Sequence, residues 1–396
     1  QDREENNMEK SKAKKGMPVF IGVAAVWMGT HFGPGVASGT QLNQYYVMFG
    51  LPGIFVTVIA MAFLGYALYC SMEFSRLYHA YDYQSWVEKL FGNKYVVILF
   101  DISFLVTILT AASGSMNAVA VLLESNFGIN YWIGVGIIIV CAMLLCAFGA
   151  RLVRAASSYM MFIVIGILFV IMILLAVNGD GDLSGSIANQ ATNLKSAGSG
   201  DWLAAIWSAI IYGSFQATIV ANIASVAEDI PNRRESKKAA VTGFLANTIL
   251  LIVLCMMLFS YTNVYDITSE DLPFYSLLQR LGYDWLTVVY IIIVFIAVLS
   301  TVVGFAFAGV ARFSKYYQPK EGKKSSLRDA IFVGIMLIAC AVASQIGIVT
   351  LVSTGYKILG YLNLPIIVLP AIILGGHKIS KKYLKSHNID APGVDM

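Results

Sequence analysis

The sequence predicts an all-α integral membrane protein: ten transmembrane helices in two inverted halves of five, with the first and sixth helices broken near mid-membrane depth. Three observations carry this expectation. Of the 396 residues, 58% are hydrophobic and 13% charged, and the mean hydropathy is +0.72, outside the range of soluble globular domains. Ten apolar runs are candidates for crossing about 30 Å of hydrocarbon. The basic residues fall almost wholly in alternate connections between those runs.

In chain order, residues 1–16 form a polar tail without the short apolar core and small-residue cleavage site of a secretory signal, so no removed leader is expected. The run 17–48 holds Gly29-Thr30-His31-Phe32-Gly33-Pro34-Gly35-Val36-Ala37-Ser38-Gly39 at its middle. Each glycine costs a helix interior about 1 kcal/mol and the proline about 3, so the helix must break there. In hydrocarbon, freed N–H and C=O groups survive only where protein or an aqueous cavity covers them, which makes such a break a place to hold a solute or an ion. Runs 51–78 and 95–123 follow, with Arg76 at the inner end of the former and Lys89 and Lys94 in the connection. Runs 131–149 and 153–177, separated by Arg151, complete the first half, 17–177; Arg154 opens the second of them. The loop 178–200, rich in Gly, Ser, Asn and Asp, divides the chain. Runs 202–227, 239–261, 285–313, 330–345 and 348–375 make the second half, 201–376, and the tail 377–396 closes it. The ninth run is the shortest. Of the 27 Lys and Arg, only Lys195 and Arg280 fall in outer connections and Lys357 within a span, which places both termini in the cytoplasm and the chain in the cell membrane.

Halves with an odd number of spans insert in opposite orientations, so if they share a fold they are inverted repeats. The sixth span then corresponds to the first. It too is interrupted, at Ser208-Ala209-Ile210-Ile211-Tyr212-Gly213-Ser214-Phe215-Gln216-Ala217-Thr218. Both breaks lie roughly a dozen residues, or about 18 Å, into their runs. Ordinary packing through small residues would explain the second break taken alone; the matching position in the other half favours a paired break.

The basic clusters are spread over separate loops and form no aromatic-interleaved face, so nucleic acid is not an expected partner despite the net charge of +4. Cys70, Cys141, Cys146, Cys255 and Cys340 all lie inside runs without metal spacing and read as packing residues. No nucleotide-binding pattern follows a strand, and no nucleophile–base or carboxylate pair marks an intramembrane enzyme. No cofactor is expected. The expected partners are a small-molecule substrate and the lipid bilayer.

With both breaks in view, the chain resembles the amino acid–polyamine–organocation superfamily, whose five-plus-five inverted repeat is the LeuT fold. The segment Gly29 to Gly39 is similar to the first span of its YkvI-like bacterial members. In the eighth run, Ala297-Val298-Leu299-Ser300-Thr301 sets Ala297, Ser300 and Thr301 on one helix face. In sodium-coupled members such a pattern supplies oxygens to a sodium ion, and carbonyls of the first break complete the shell; by motif spacing these belong here to Gly29 and Phe32. Such an all-oxygen site suits a hard cation. Helix–helix or back-bonding hydrogen bonds are the structural alternative for the two hydroxyls, and a proton can replace sodium.

Thr30 and His31 occupy the first break. His31 is expected to contact substrate, carry a proton, or satisfy freed backbone groups. Amides near Gly33 and Gly35, and at Gly213, Ser214 and Phe215, are expected to attract a substrate carboxylate. Gln216 and Asn222 are expected to add polar contacts, and Tyr212 or Phe215 to close over the ligand, with ordinary packing the commoner role for aromatics in a membrane bundle. Lys357, about 12 Å into the tenth run, is expected to face the cavity or else to snorkel outward. Glu228 and Asp229 beside Arg233 and Arg234 read as a solvated helix end, with an inner-gate ion cluster as the alternative. The resemblance implies import of an amino acid or related amine or carboxylate with sodium, by alternating access; a non-transporting sensor of the same fold is the alternative.

Overall fold

The computed structural model describes residues 18–147, 150–194, 200–319, 326–389, 391, 393 and 394, with the backbone alone for 147 and 150–162. The described residues are helical, and no strand occurs among them. The expectations for the tail 1–16 and for Lys195 lie outside the described residues.

The first span is traced by α1 (Val19–His31), a single turn α2 (Pro34–Ala37) and α3 (Thr40–Tyr45). There follow α4 (Leu51–Tyr78), a short inner helix α5 (Tyr83–Phe91), α6 (Val97–Phe127), α7 (Tyr131–Ala147), α8 (Ala150–Asn178) and an outer helix α9 (Leu183–Asn193). The sixth span is α10 (Trp202–Phe215), a 3-10 turn (Gln216–Ile219) and α11 (Val220–Val226). Then come α12 (Arg233–Ser260), an outer helix α13 (Pro273–Leu281), α14 (Asp284–Tyr317) and α15 (Ser326–Ala343). The last span mixes α16 (Tyr356–Asn363) with π-helical turns at Leu351–Gly355, Leu364–Val368 and Ala371–Gly375, and α17 (Lys381–Ser386) ends the chain's helical part.

Among the described residues, seven helical segments are long and apolar enough to cross a membrane, and Ile163–Asn178 with Leu183–Asn193, bent by 95°, makes an eighth. The other two runs expected to span, at α1 and α7, form shorter apolar helices. The outward faces are apolar, with Phe55, Leu105, Ile173, Val241, Ile292 and Ile338 all exposed, as contact with hydrocarbon requires. "Inner" below denotes the end bearing the basic clusters.

The break in the first span follows from its sequence. Pro34 has no N–H to offer Thr30, and Gly33, in extended conformation, turns its N–H to the His31 carbonyl at 3.0 Å instead of to Gly29. Val36 and Ala37 then bond back to the Gly33 carbonyl, and α2 starts afresh. Gly39, at φ +86°, turns the chain again where Phe274 and Pro273 would crowd any side chain, and Phe274 N–H closes on the Ser38 carbonyl at 3.1 Å.

Below the break α1 is held by Trp27. Its indole lies in a notch formed by Gly243 of α12 and Gly65 of α4, and a Cβ at Gly243 would overlap the ring. Helix α4 lies against both α10 and α12, so both broken spans rest on one framework. On the far side, α6 presents a buried stripe of Ser103, Thr107, Thr110, Ser113 and Asn117, spaced for one helix face. This side packs on the last span, where Asn117 accepts from the Ile348 N–H at 3.0 Å and donates to the Ser344 carbonyl at 3.0 Å.

Candidate substrate site at the helix breaks

His31, the last residue of α1, is 1% exposed and joins three spans. Its Nδ1 lies 2.7 Å from Asn247 Oδ1 on α12, and its Nε2 lies 2.9 Å from the Tyr212 hydroxyl on α10. Asn247 donates to the Gly243 carbonyl at 2.7 Å, which directs its Oδ1 to accept from His31. The ring is therefore protonated on Nδ1 and receives the Tyr212 proton on Nε2, a neutral tautomer with both nitrogens engaged. Gln216 Nε2 approaches the same hydroxyl at 3.5 Å, extending the chain to the 3-10 turn. Among the described residues no acid joins this hydrogen-bonded series to stabilise an imidazolium.

Outward of His31 the route is filled by aromatic rings. Tyr212 meets Tyr45, Tyr46 and Phe215 at centroid distances of 5.5, 4.9 and 4.9 Å, and Phe215 stacks on Tyr356 of the last span at 4.7 Å. The Tyr45 hydroxyl donates to the Val352 carbonyl in the first π-helical turn at 3.0 Å. Gln41 Oε1, Asn43 Oδ1 and the Tyr46 hydroxyl are buried nearby in sequence without a hydrogen-bond partner, an unusual concentration of orphaned polar groups on one short segment. Asn363 of α16 donates to the Phe215 carbonyl at 3.4 Å and accepts from Ser103 of α6.

The sixth-span break differs from expectation. Gly213, Ser214 and Phe215 are still helical, so their amides are not freed; the interruption is the tightened turn at Gln216–Ile219. Gly213 instead lets α10 approach α4, where a Cβ would stand 3.1 Å from the Ala60 carbonyl, and Ser214 bonds back to Ile210 O at 2.7 Å. In the first break the Gln41 side chain packs onto Gly35, leaving no room for a Cβ, and Gly33 is partly buried. Thr30 bonds back to Val26 O at 2.8 Å and is exposed. Asn222 is exposed as well.

Lys357 does not reach the site. Tyr356, Leu359, Gly360 and Asn363 form the buried face of α16, and Lys357 falls on its exposed face beside Ile358. Helical phase decides this, and depth alone gave no hint of it. Arg233 bonds to Glu73 of α4 at 2.8 Å, while Glu228 and Asp229 form a plain helix end, as expected.

The oxygens anticipated for a cation are unengaged. Among the described residues no donor reaches the carbonyls of Gly29 or Phe32, and Ser300 and Thr301 make no hydrogen bond although most other span hydroxyls bond back to the preceding turn. Ala297 is buried on the same helix, about two turns inward of Tyr290, whose hydroxyl donates to the Ala37 carbonyl at 3.2 Å. Asn247, Asn363, Ser103, Tyr45 and Tyr46 lie around the candidate site and were not singled out from sequence. The available signal was an amide side chain within an apolar run.

A broken span pinned at mid-length to its counterpart, inside a bundle with an apolar outer surface, is an architecture of membrane transport proteins. A family model described as amino acid permease matches residues 20–315, and the chain belongs to that family. It is 26% identical over 364 residues to the uncharacterized membrane protein YkvI of Bacillus subtilis (strain 168), covering 91% of this chain and 96% of the relative. Among solved structures it resembles a manganese transporter of Eremococcus coleocola, with TM-score 0.60, 14% identity, and coverage of 93% of this chain and 83% of that one. It also resembles a Na+-coupled sialic acid symporter in a substrate-bound outward-open state, with TM-score 0.58, 13% identity, and coverage of 96% and 92%. The shared fold is the LeuT fold.

Proposed function

We propose that the protein is an ion-coupled secondary transporter of a small organic solute, an amino acid or a related amine or carboxylate, imported with sodium by alternating access. The ten runs form two inverted halves with both termini cytoplasmic, and the solute binds between the first and sixth spans. The observation that carries this reading is the mid-span break ending at His31, with unengaged Gly29 and Phe32 carbonyls beside a hydrogen-bonded link to Tyr212 and Asn247. Those carbonyls, with the free hydroxyls of Ser300 and Thr301, offer oxygen donors of the kind a sodium ion takes. Sodium is favoured over a proton because His31 is held neutral with no acid to share a charge.

An organic solute is favoured over a divalent metal. Among the described residues no three His, Cys, Asp or Glu side chains converge, and the buried acids Glu73 and Asp101 are each paired with arginine. The amides and phenols around the break suit a neutral or zwitterionic solute. Aromatic packing fills the outer side of the breaks, and a cavity of about 350 Å³ lies at the inner end.

Uptake of a panel of amino acids, amines and carboxylates into proteoliposomes, with and without an inward sodium gradient, tests the proposal. Sodium-stimulated accumulation of one solute class is expected. Ligand-induced thermal stabilisation without accumulation under any gradient would instead make the protein a sensor.

A further inference from the structure

A second polar site borders the inner side of the sixth-span turn, in the inner cavity of about 350 Å³ between α5, α6, the Gln216–Ile219 turn with the start of α11, and the end of α14. Its lining is largely apolar, including Val97, Phe100, Phe104, Ala217, Ala308 and Ile367. Arg312 is set into this wall with its side chain 13% exposed. The guanidinium contacts Asp101 through Nε and lies face-on over the Tyr83 ring, 3.5 Å from the centroid. Asp101 balances its charge without exhausting its donors. Nη2 is buried with no hydrogen-bond partner, and the Tyr83 hydroxyl is likewise buried and unpartnered in the same wall. Leaving such donors unmade is costly, and more so on a charged group. The remaining charges at the mouth are Lys315 and Asp82, and the Asp82 carboxylate already caps α5 through the Ser85 N–H and hydroxyl at 2.9 and 2.6 Å.

We propose that this cavity is a carboxylate-binding site, in which Arg312 and the Tyr83 hydroxyl take the carboxylate and the apolar wall takes an aliphatic or aromatic body. Both donors sit just behind the cavity surface, so capture requires a turn of the Arg312 side chain about its Asp101 contact. A guanidinium forms charge-assisted, often paired bonds to a carboxylate, and a volume of this size accommodates a small organic acid. The inference does not depend on transport, because the cavity and its orphaned donors are present whichever solute crosses at the breaks.

The test uses the purified full-length protein with benzoate as probe and benzamide, its uncharged isostere, as control, read by equilibrium dialysis and thermal shift. Benzoate is expected to bind and stabilise, and benzamide not to. Tyr83→Phe, which removes one hydroxyl and keeps the ring under Arg312, is expected to weaken benzoate about tenfold, and Arg312→Lys at least as much. Tyr46→Phe, at the outer side of the helix breaks and away from the cavity lining, is expected to leave benzoate affinity unchanged. Equal binding of benzoate and benzamide, or unaltered benzoate affinity in Tyr83→Phe, overturns the proposal, as does loss of benzoate binding in Tyr46→Phe alone. The natural carboxylate has two sources, a solute leaving the breaks or a cytosolic acid entering from the inner side. Slowed solute efflux in Tyr83→Phe proteoliposomes identifies the first, and unchanged efflux with lost benzoate binding identifies the second; either result upholds the site.

Discussion

His31 shows how one residue reconciles a broken backbone with a dry interior. Its two bonds satisfy Asn247 and Tyr212 at the depth where the α1 ladder ends, and replacing it by alanine leaves the Asn247 Oδ1 without its donor and the Tyr212 hydroxyl without its 2.9 Å partner. A loss of roughly 2–6 kcal/mol is expected from two buried orphans, measurable by thermal denaturation in detergent. Because the ring is held neutral, His31→Gln is expected to leave the pH profile of transport unchanged in shape between about pH 5.5 and 8, where a free imidazole would titrate. A wild-type inflection in that range that disappears in the mutant would falsify the neutral assignment. For Lys357, on the outer face of α16, Lys357→Met and Lys357→Arg are both expected to retain wild-type substrate affinity. Sequence made His31, Tyr212 and Gln216 legible, since polar residues at a glycine-rich interruption must face protein or water. It left Asn247 and Asn363 unread and misplaced Lys357, because which side of an apolar helix faces inward is settled by neighbours that periodicity does not identify in a helix buried on several sides.

At the scale of elements, the first break was readable because Gly33 and Pro34 remove the helical alternative outright. The second was only half readable: Gly213 and Ser214 look like breakers, yet they serve close packing and back-bonding, and the real change to a 3-10 turn begins at Gln216. The π-helical turns of the last span had no legible signal beyond Pro365 and Pro370. Helix α1 is held by a single large anchor, Trp27 in its glycine notch, so Gly243→Ala is expected to push the indole out, lower stability by about 1–3 kcal/mol and loosen α1. Hydrogen exchange should then rise selectively over Val19–His31, and uniform exchange across the bundle would show that Trp27 is not the specific hold. On α14, Ser300→Ala with Thr301→Ala removes two hydroxyls that stabilise nothing else in the fold. That double variant is expected to fold normally and lose sodium-stimulated uptake; retained sodium dependence excludes those oxygens as ligands.

For the whole molecule, the inner ends of the two halves are tied by a buried charge cluster around Glu73, which the sequence did not single out. Glu73 of α4, with no exposed side-chain surface, receives Arg76 Nη2 at 2.7 Å, Arg233 Nε at 2.8 Å and the Ser236 hydroxyl at 2.8 Å. Arg233 also donates to the Ile379 carbonyl at 2.6 Å, so the cluster joins α4, α12 and the segment entering α17. Such a group is worth little against a well-packed apolar substitute, but removing Glu73 deletes the buried negative charge on which two guanidinium groups converge. Glu73→Gln keeps the volume and deletes the charge, and is expected to cost about 3–5 kcal/mol. Glu235, paired with Lys238 at 2.7 Å where the lysine side chain is 44% exposed, supplies the internal control, and Glu235→Gln should cost less than about 1 kcal/mol. Because the cluster also holds Ile379, the Glu73 variant should release the C-terminal segment to protease at temperatures where the spans remain folded. If both variants melt like the wild type and the tail stays protected, the inner ends are held by helix packing alone, and the motion that opens the inner side needs no charge separation.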